Sequence, residues 1–373
     1  MYKKRSELFD CNFVYFVMLS LFVVIRIISS TFSINTVMAY VLNLTIQIAL
    51  AFSLPVFLFS YLRKQKVKTT LYNYGFKKTS LKAVILSLVI GLFVYILTIF
   101  IASFFTAILN LLGYESLGSS GNQISEYPIW LLLVELIATA ILPGICEEVA
   151  NRGMLLNCYK KMGSKKAILF SGLLFGLMHL NINQFFYASI IGCYFAFVAL
   201  LCDNIWPVII MHFTNNALST FMSFASVNDL WVSRWVDNML NILLSNGALY
   251  GMLILFVFIS FVVILIFWLT KKLCKETRVK HLTQVADKML KAQLRNELMK
   301  DIADAKEEQV QNDTGIQLTQ QTIGGRTVFN IDFSKEIESY KPYKPSPKEN
   351  LFMYANLFLG IAVTVCTFIW GVL

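Results

Sequence analysis

Apolar residues run along this chain in blocks of about membrane length, broken by short polar or basic interruptions. Crossing a hydrocarbon core takes roughly 20 apolar residues in a helix. Blocks of that kind are read at 12–34, 37–62, 83–112, 128–157, 166–182, 184–202, 205–225, 247–270 and 351–372. The fifth to seventh are short and closely spaced. The pattern therefore predicts an all-α fold, a polytopic helical membrane bundle of eight or nine transmembrane helices with a small cytoplasmic segment. The first block is too long for a signal peptide and lacks a small-residue site after a short apolar core, so it is read as an anchor.

The interruptions divide the chain further. Residues 63–82 form a basic loop expected to lie on the membrane surface. Residues 271–350 are the one substantial polar piece, and a solvated cytoplasmic tail is the default reading of it. Within it Val285, Met289, Leu290, Leu294, Leu298 and Ile302 recur at helical spacing among charges, which predicts an amphipathic helix. "TVFNIDF" alternates weakly like a strand, and "KPYKPSPKEN" reads as an extended proline linker. The expected organisation is N-terminal membrane helices and basic loop at 1–126, a polar-studded helical core at 127–226, a further membrane helix at 227–270, the cytoplasmic segment at 271–350 and a last membrane helix at 351–373. No internal repeat of 20–50 residues is visible, and no paired broken helices of the transporter kind.

Composition sharpens this picture. The chain is 57% hydrophobic, more than a soluble core can use. The net charge of +10 invites a nucleic-acid partner, but the placement of the charges argues for a bilayer instead. Lys3, Lys4 and Arg5, then Arg63 to Lys82, then Lys160 to Lys166, then Lys271, Lys272 and Lys275 make alternate loops basic, while 113–127 carries two glutamates and no base. The positive-inside rule then puts the N-terminus and 271–350 in the cytoplasm and the C-terminus outside. The remaining excess charge suits anionic headgroups. The seven cysteines show no CxxC or metal-like spacing, and Cys146, with no histidine beside it in sequence, is read as an inert small hydrophobe.

Three segments hold nearly all the intramembrane polar chemistry. In the first, "ILPGICEEVANRGMLL", two glutamates and an arginine sit where each charge costs roughly 2.5–3.5 kcal/mol. Glu148 and Arg152 are i,i+4 on a helix and can pair, while Glu147 points about 100° away. One carboxylate is thus neutralised and the other left to accept a proton from water. Pro143 and Gly144 would kink the helix and free backbone groups, opening a polar pocket. The second, "LFSGLLFGLMHLN", has Phe175 and His179 at i,i+4 and glycines at 172 and 176, a small-xxx-small face for close helix approach. The third, "DNIWPVIIMHFTNNALS", has His212 and Asn216 at i,i+4. Of the three histidines, only His281 lies outside these segments. A lone intramembrane histidine is as readily a structural hydrogen-bonder as a catalyst. Two of them, a free glutamate and an asparagine on neighbouring helices supply a base, a water-orienting group and oxyanion donors, the needs of peptide hydrolysis. There is no HExxH and no GxSxG. Counted at 1.5 Å per residue, Glu147 and His212 fall toward the cytoplasmic side and His179 nearer the midplane.

EExxxR at Glu147–Arg152, FxxxH at Phe175–His179 and HxxxN at His212–Asn216, in this order, resemble the CPBP family. It comprises type II CAAX prenyl proteases and bacteriocin-processing enzymes, also called the Abi family, and includes lysostaphin-resistance-like proteins. The likeness covers about 127–226. It implies that Glu147 is the general base on water, that His179 helps to position or activate it, that His212 and Asn216 form the oxyanion site, and that Glu148 with Arg152 supports the motif helix. This chain has Asn151 where the family usually has an aromatic, a position expected to shape the pocket. The family is labelled metalloprotease, yet a glutamate-activated, metal-free mechanism has been argued for its CAAX branch. No cofactor is the favoured expectation. Zinc on Glu147, His179 and His212 is the alternative.

The implied function is an intramembrane endopeptidase acting on a membrane-associated peptide or protein near the cytoplasmic face of a plasma membrane. A low-proline, Ile/Phe/Asn/Lys-rich composition suggests a low-GC bacterium, where prenylated CAAX substrates are not expected. A leader peptide, a pheromone precursor or a membrane-anchored regulator fits better. The competing reading is a non-catalytic membrane scaffold or bacteriocin-immunity protein of the same fold.

Overall fold

The computed structural model describes residues 6–32, 36–115, 127–245, 248–298, 318–323, 326–331 and 343–372. It divides into two compact units, one of Met1–Arg278 with Lys344–Leu373 and one of Val279–Tyr343.

The first unit is a bundle of helices. α1 is Glu7–Thr31, opened by Ser6, whose hydroxyl accepts from the Phe9 amide. α2 runs through Thr36–Thr45, a π-helical stretch Ile46–Leu58 and a last α turn Phe59–Arg63. α3 is Val67–Asn73 and α4 Leu81–Leu111. α5 begins at Ile129–Glu135, loosens into π turns at Leu136–Ile141 and Val149–Leu155 on either side of Leu142–Glu148, and ends at Leu156–Tyr159 and Lys160–Met162. Then come α6 (Ser164–Leu177), α7 (Ile182–Cys202), α8 (Trp206–Val227), α9 (Trp231–Ser245), α10 (Ala248–Leu298) and α11 (Pro347–Val372).

Among the described residues seven of these, α1, α2, α4, α5, α7, α10 and α11, are long and apolar enough to cross a membrane. The chain is a multi-pass membrane protein. The two remaining predicted blocks became α6 and α8. α6 has 14 residues, about 21 Å at 1.5 Å per residue, short of a ~30 Å core. α8 is long enough at 22 residues but carries Thr214, Asn215, Asn216, Ser219 and Thr220. Of the eight or nine expected spans, seven meet that measure among the described residues, and α6 and α8 fall short of it in length or in apolarity.

α6 lies along α7, α4 along α8, and α1 along α11. Glycines make the first contact tight. A Cβ on Gly176 would stand 2.6 Å from the Phe185 carbonyl oxygen, and one on Gly192 would stand 3.1 Å from the Gly172 Cα. The small-xxx-small face read at 172 and 176 is thus buried against α7. α9 was not read from the pattern, although Trp231, Trp235, Met239 and Ile242 recur at helical spacing and are all exposed.

The start of α11 corrects the expected linker. Among the described residues of that stretch Tyr343–Ser346 are irregular, and Pro347 opens the helix. Glu349 Oε2 reaches back to the Ser346 amide at 2.7 Å and to its hydroxyl at 2.9 Å, a capping arrangement with proline at the first helical position.

In the second unit, β1 (Leu318–Ile323) pairs antiparallel with β2 (Arg326–Ile331), in the register Leu318–Ile331 and Ile323–Arg326. β2 is the weakly alternating stretch read from sequence, and its partner was not anticipated. The helical backbone of α10 reaches Leu298, and the side chains of His281 and of the predicted apolar stripe lie outside the described residues, as does Ile302.

Candidate active site

Pro143 has no N–H to offer the turn before it. The Thr139 carbonyl, four residues back, accepts instead from Asn216 Nδ2 on α8 at 3.0 Å. Asn215 Nδ2 in turn donates to Asn216 Oδ1 at 3.0 Å, which fixes the amide's orientation, since a carbonyl oxygen can only accept. The kink read at Pro143 thereby joins α5 to α8 at the site, and one N–H of Asn216 Nδ2 is left for another acceptor.

A turn further on, the two glutamates part. Glu148 is fully buried, and its Oε1 accepts from Arg152 Nη1 at 2.9 Å and from His212 Nδ1 at 2.8 Å. The expected i,i+4 pair is formed, but it does not occupy Glu148 alone. The same oxygen orients the histidine of α8, which the sequence reading did not foresee. Arg152 Nη2 donates to the Gly192 carbonyl at 3.0 Å, and the guanidinium lies 4.3 Å from the Phe175 ring centre and 5.6 Å from that of Phe195. Glu148 and Arg152 therefore tie α5 to α6, α7 and α8 without lining the cavity.

Glu147 does line it. Its Oε1 accepts from Gln47 Nε2 of α2 at 2.9 Å, and its Oε2 is 4.0 Å from His212 Nε2. His179, just past the end of α6, has Nδ1 2.8 Å from the Phe175 carbonyl. Since that oxygen only accepts, Nδ1 is the donor and Nε2 the acceptor in the neutral ring. By the same argument His212, donating from Nδ1 to Glu148, offers Nε2 as an acceptor when neutral. Glu147, His179, His212 and Asn216 all border one cavity of about 450 Å³. The difference in depth counted along separate helices does not keep them apart, because α6 stops short and His179 sits in the turn that follows it.

Asn151 does not border the cavity, contrary to expectation. It is fully buried, and its Nδ2 donates to the Glu147 carbonyl at 2.8 Å and meets Met178 Sδ at 3.4 Å. It anchors the backbone beneath Glu147 rather than shaping the pocket wall. Gln47 is the residue that sequence reasoning missed. It lies in a span with no motif, and no spacing rule links it to a glutamate 100 positions away.

Glu147, His179 and His212 are side chains of the kind catalytic zinc takes, so the test of a metal here is their spacing. No group of three His, Cys, Asp or Glu side chains is close enough together to hold a metal ion among the described residues. His212 Nε2 and Glu147 Oε2 stand 4.0 Å apart.

Comparison with known proteins finds a likeness over about a quarter of the chain. Residues 128–218 match the family model described as type II CAAX prenyl endopeptidase Rce1-like. No curated protein and no solved structure matches the chain. The Rce1-like segment spans α5 to α8 as far as Asn216 and beyond, so it holds all three motifs and the whole Glu148–Arg152–His212 cluster. It agrees with the CPBP resemblance and aligns the segment, at the family level, with CAAX-protease-like intramembrane endopeptidases. Gln47 lies outside it.

Proposed function

We propose that this chain is an intramembrane endopeptidase that hydrolyses a peptide bond of a membrane-associated peptide or protein, with Glu147 as general base and no metal. The observation that carries this is the convergence of Glu147, His179, His212 and Asn216 on one cavity inside a bundle of membrane helices.

The gap between Glu147 Oε2 and His212 Nε2 suits a water bonded to both. Glu147 takes its proton as the oxygen attacks the carbonyl carbon. The tetrahedral oxyanion is held by the spare N–H of Asn216 Nδ2, and the proton on Glu147 passes to the leaving nitrogen as the C–N bond breaks. His179, with Nε2 open, orients the water or the incoming amide N–H. Glu148 holds His212 in its tautomer, and a His212 that has gained a proton would become a second oxyanion donor. The substrate class is a leader peptide, a pheromone precursor or a membrane-anchored regulator, met from the cytoplasmic side of a plasma membrane. The basic run at Lys271, Lys272 and Lys275 supports that side. No nucleic acid takes part.

Glu147→Gln is the test. Glutamine is nearly isosteric but takes no proton from water, so cleavage should fall about 10²–10⁴-fold while expression and detergent stability stay near wild type. Comparing the membrane peptidome of cells carrying the variant with that of wild type identifies the substrate. Near-normal cleavage by the variant would remove Glu147 as the general base, and an absence of cleavage by the wild type would leave a scaffold or immunity role in place of an enzyme. Activity should survive exhaustive chelation. About one equivalent of bound zinc, lost on changing either histidine, would overturn the metal-free reading.

A further inference from the structure

Glu147 Oε1 accepts from Gln47 Nε2, and this is the one hydrogen bond on that carboxylate among the described residues. Arg152 Nη1 and His212 Nδ1 both go to Glu148, and Asn151 holds the Glu147 backbone rather than its side chain. The terminal torsion of a glutamate is broad, so packing alone does not fix the plane in which its two equivalent oxygens lie. An N–H from Gln47 on one of them fixes that plane and turns the other toward His212, 4.0 Å away.

Gln47 has no evident packing reason to be an amide. It is buried, and its own Oε1 has no hydrogen-bond partner. An apolar side chain of the same size would fill that space without leaving a buried acceptor unmatched. The N–H on Glu147 accounts for the amide. The residue stands in the first turn of the π-helical stretch Ile46–Leu58, where α2 packs on α5. π turns are frequent at functional sites.

We propose that Gln47 is a positioning residue for the hydrolysis: it fixes the plane of the Glu147 carboxylate so that one oxygen faces the water and His212. The proposal rests on the general-base reading of Glu147. It also means that the Rce1-like segment does not hold its base in place unaided, and that α2 belongs to the active site.

The test uses the full chain in nanodiscs, with an internally quenched peptide library as substrate and infrared difference spectroscopy as a second readout. Gln47→Leu keeps the volume and removes the donor. It should lower kcat about 10–100-fold, as loss of an orienting partner or a ~1 Å misplacement does, with KM within about twofold and thermal stability near wild type. The Glu147 carboxylate band, identified by subtracting the Glu147→Gln spectrum, should shift in Gln47→Leu. If Gln47→Leu does not fold, Gln47→Met, unbranched and of similar length, makes the same comparison. Cleavage lost in Glu147→Gln but retained in Gln47→Leu overturns the proposal alone, as does a band that does not move. Cleavage that survives Glu147→Gln removes the general-base reading and this proposal with it.

Discussion

Asn216 shows how one side chain serves two ends. Its amide closes the gap that Pro143 leaves at the Thr139 carbonyl and keeps an N–H for the reaction. Asn216→Ala should therefore cost about 10²–10³-fold in kcat, the effect of one lost oxyanion donor, and be milder than Glu147→Gln in the same assay. Detergent stability should also fall slightly, because the Thr139 carbonyl is left without that partner. At this scale the sequence was legible where contacts are local. Glu148 and Arg152, and Phe175 and His179, could be paired by counting turns. His212 on Glu148, 64 residues away, and Gln47 on Glu147 could not, because such contacts depend on which faces of distant helices meet.

Among elements, the buried cluster around Arg152 makes a sharp prediction. Arg152→Ala leaves Glu148 with only His212, frees the Gly192 carbonyl and empties the space between Phe175 and Phe195. Breaking a buried pair costs about 3–5 kcal/mol, so folded protein should drop steeply by size-exclusion yield. Glu148→Gln combined with Arg152→Met should recover protein relative to Arg152→Ala. Equal yields would mean that the charges do not depend on each other. The α6–α7 contact is equally strict: Gly176→Val forces side chain into the Phe185 carbonyl and Ser189, and overpacking of this kind costs about 1–3 kcal/mol, readable as a lower melting temperature in detergent. The helices themselves were legible as apolar blocks. The π turns of α2 and α5 were not, since they change hydrogen-bond spacing without a residue signature. The start of α11 was misread because its prolines were weighed before the Ser346–Glu349 pair.

For the whole molecule, the bundle and its membrane character followed from composition and block length, and two of the blocks read as spans became α6, which is short, and α8, which is polar. Orientation is a prediction. In a Cys366→Ser background, a cysteine placed at Gly324, which lies outside the described residues, should resist impermeant thiol reagents in intact cells; ready labelling would move 271–350 outside. The partners of Arg152 carry one more consequence, concerning the order of synthesis. Phe175, Phe195, Gly192 and His212 all follow α5 in the chain, so α5 leaves the ribosome with Glu148 and Arg152 holding only each other. At roughly 2.5–3.5 kcal/mol per charge, its insertion should be unstable until α6, α7 and α8 have been made. A chain truncated near residue 178 and released from the ribosome should expose α5 to protease or to the membrane quality-control machinery, and one truncated beyond Val227 and released should not. The cluster that shapes the site would then also act as a checkpoint on assembly, holding the protein provisional until the last helix of the Rce1-like segment has arrived.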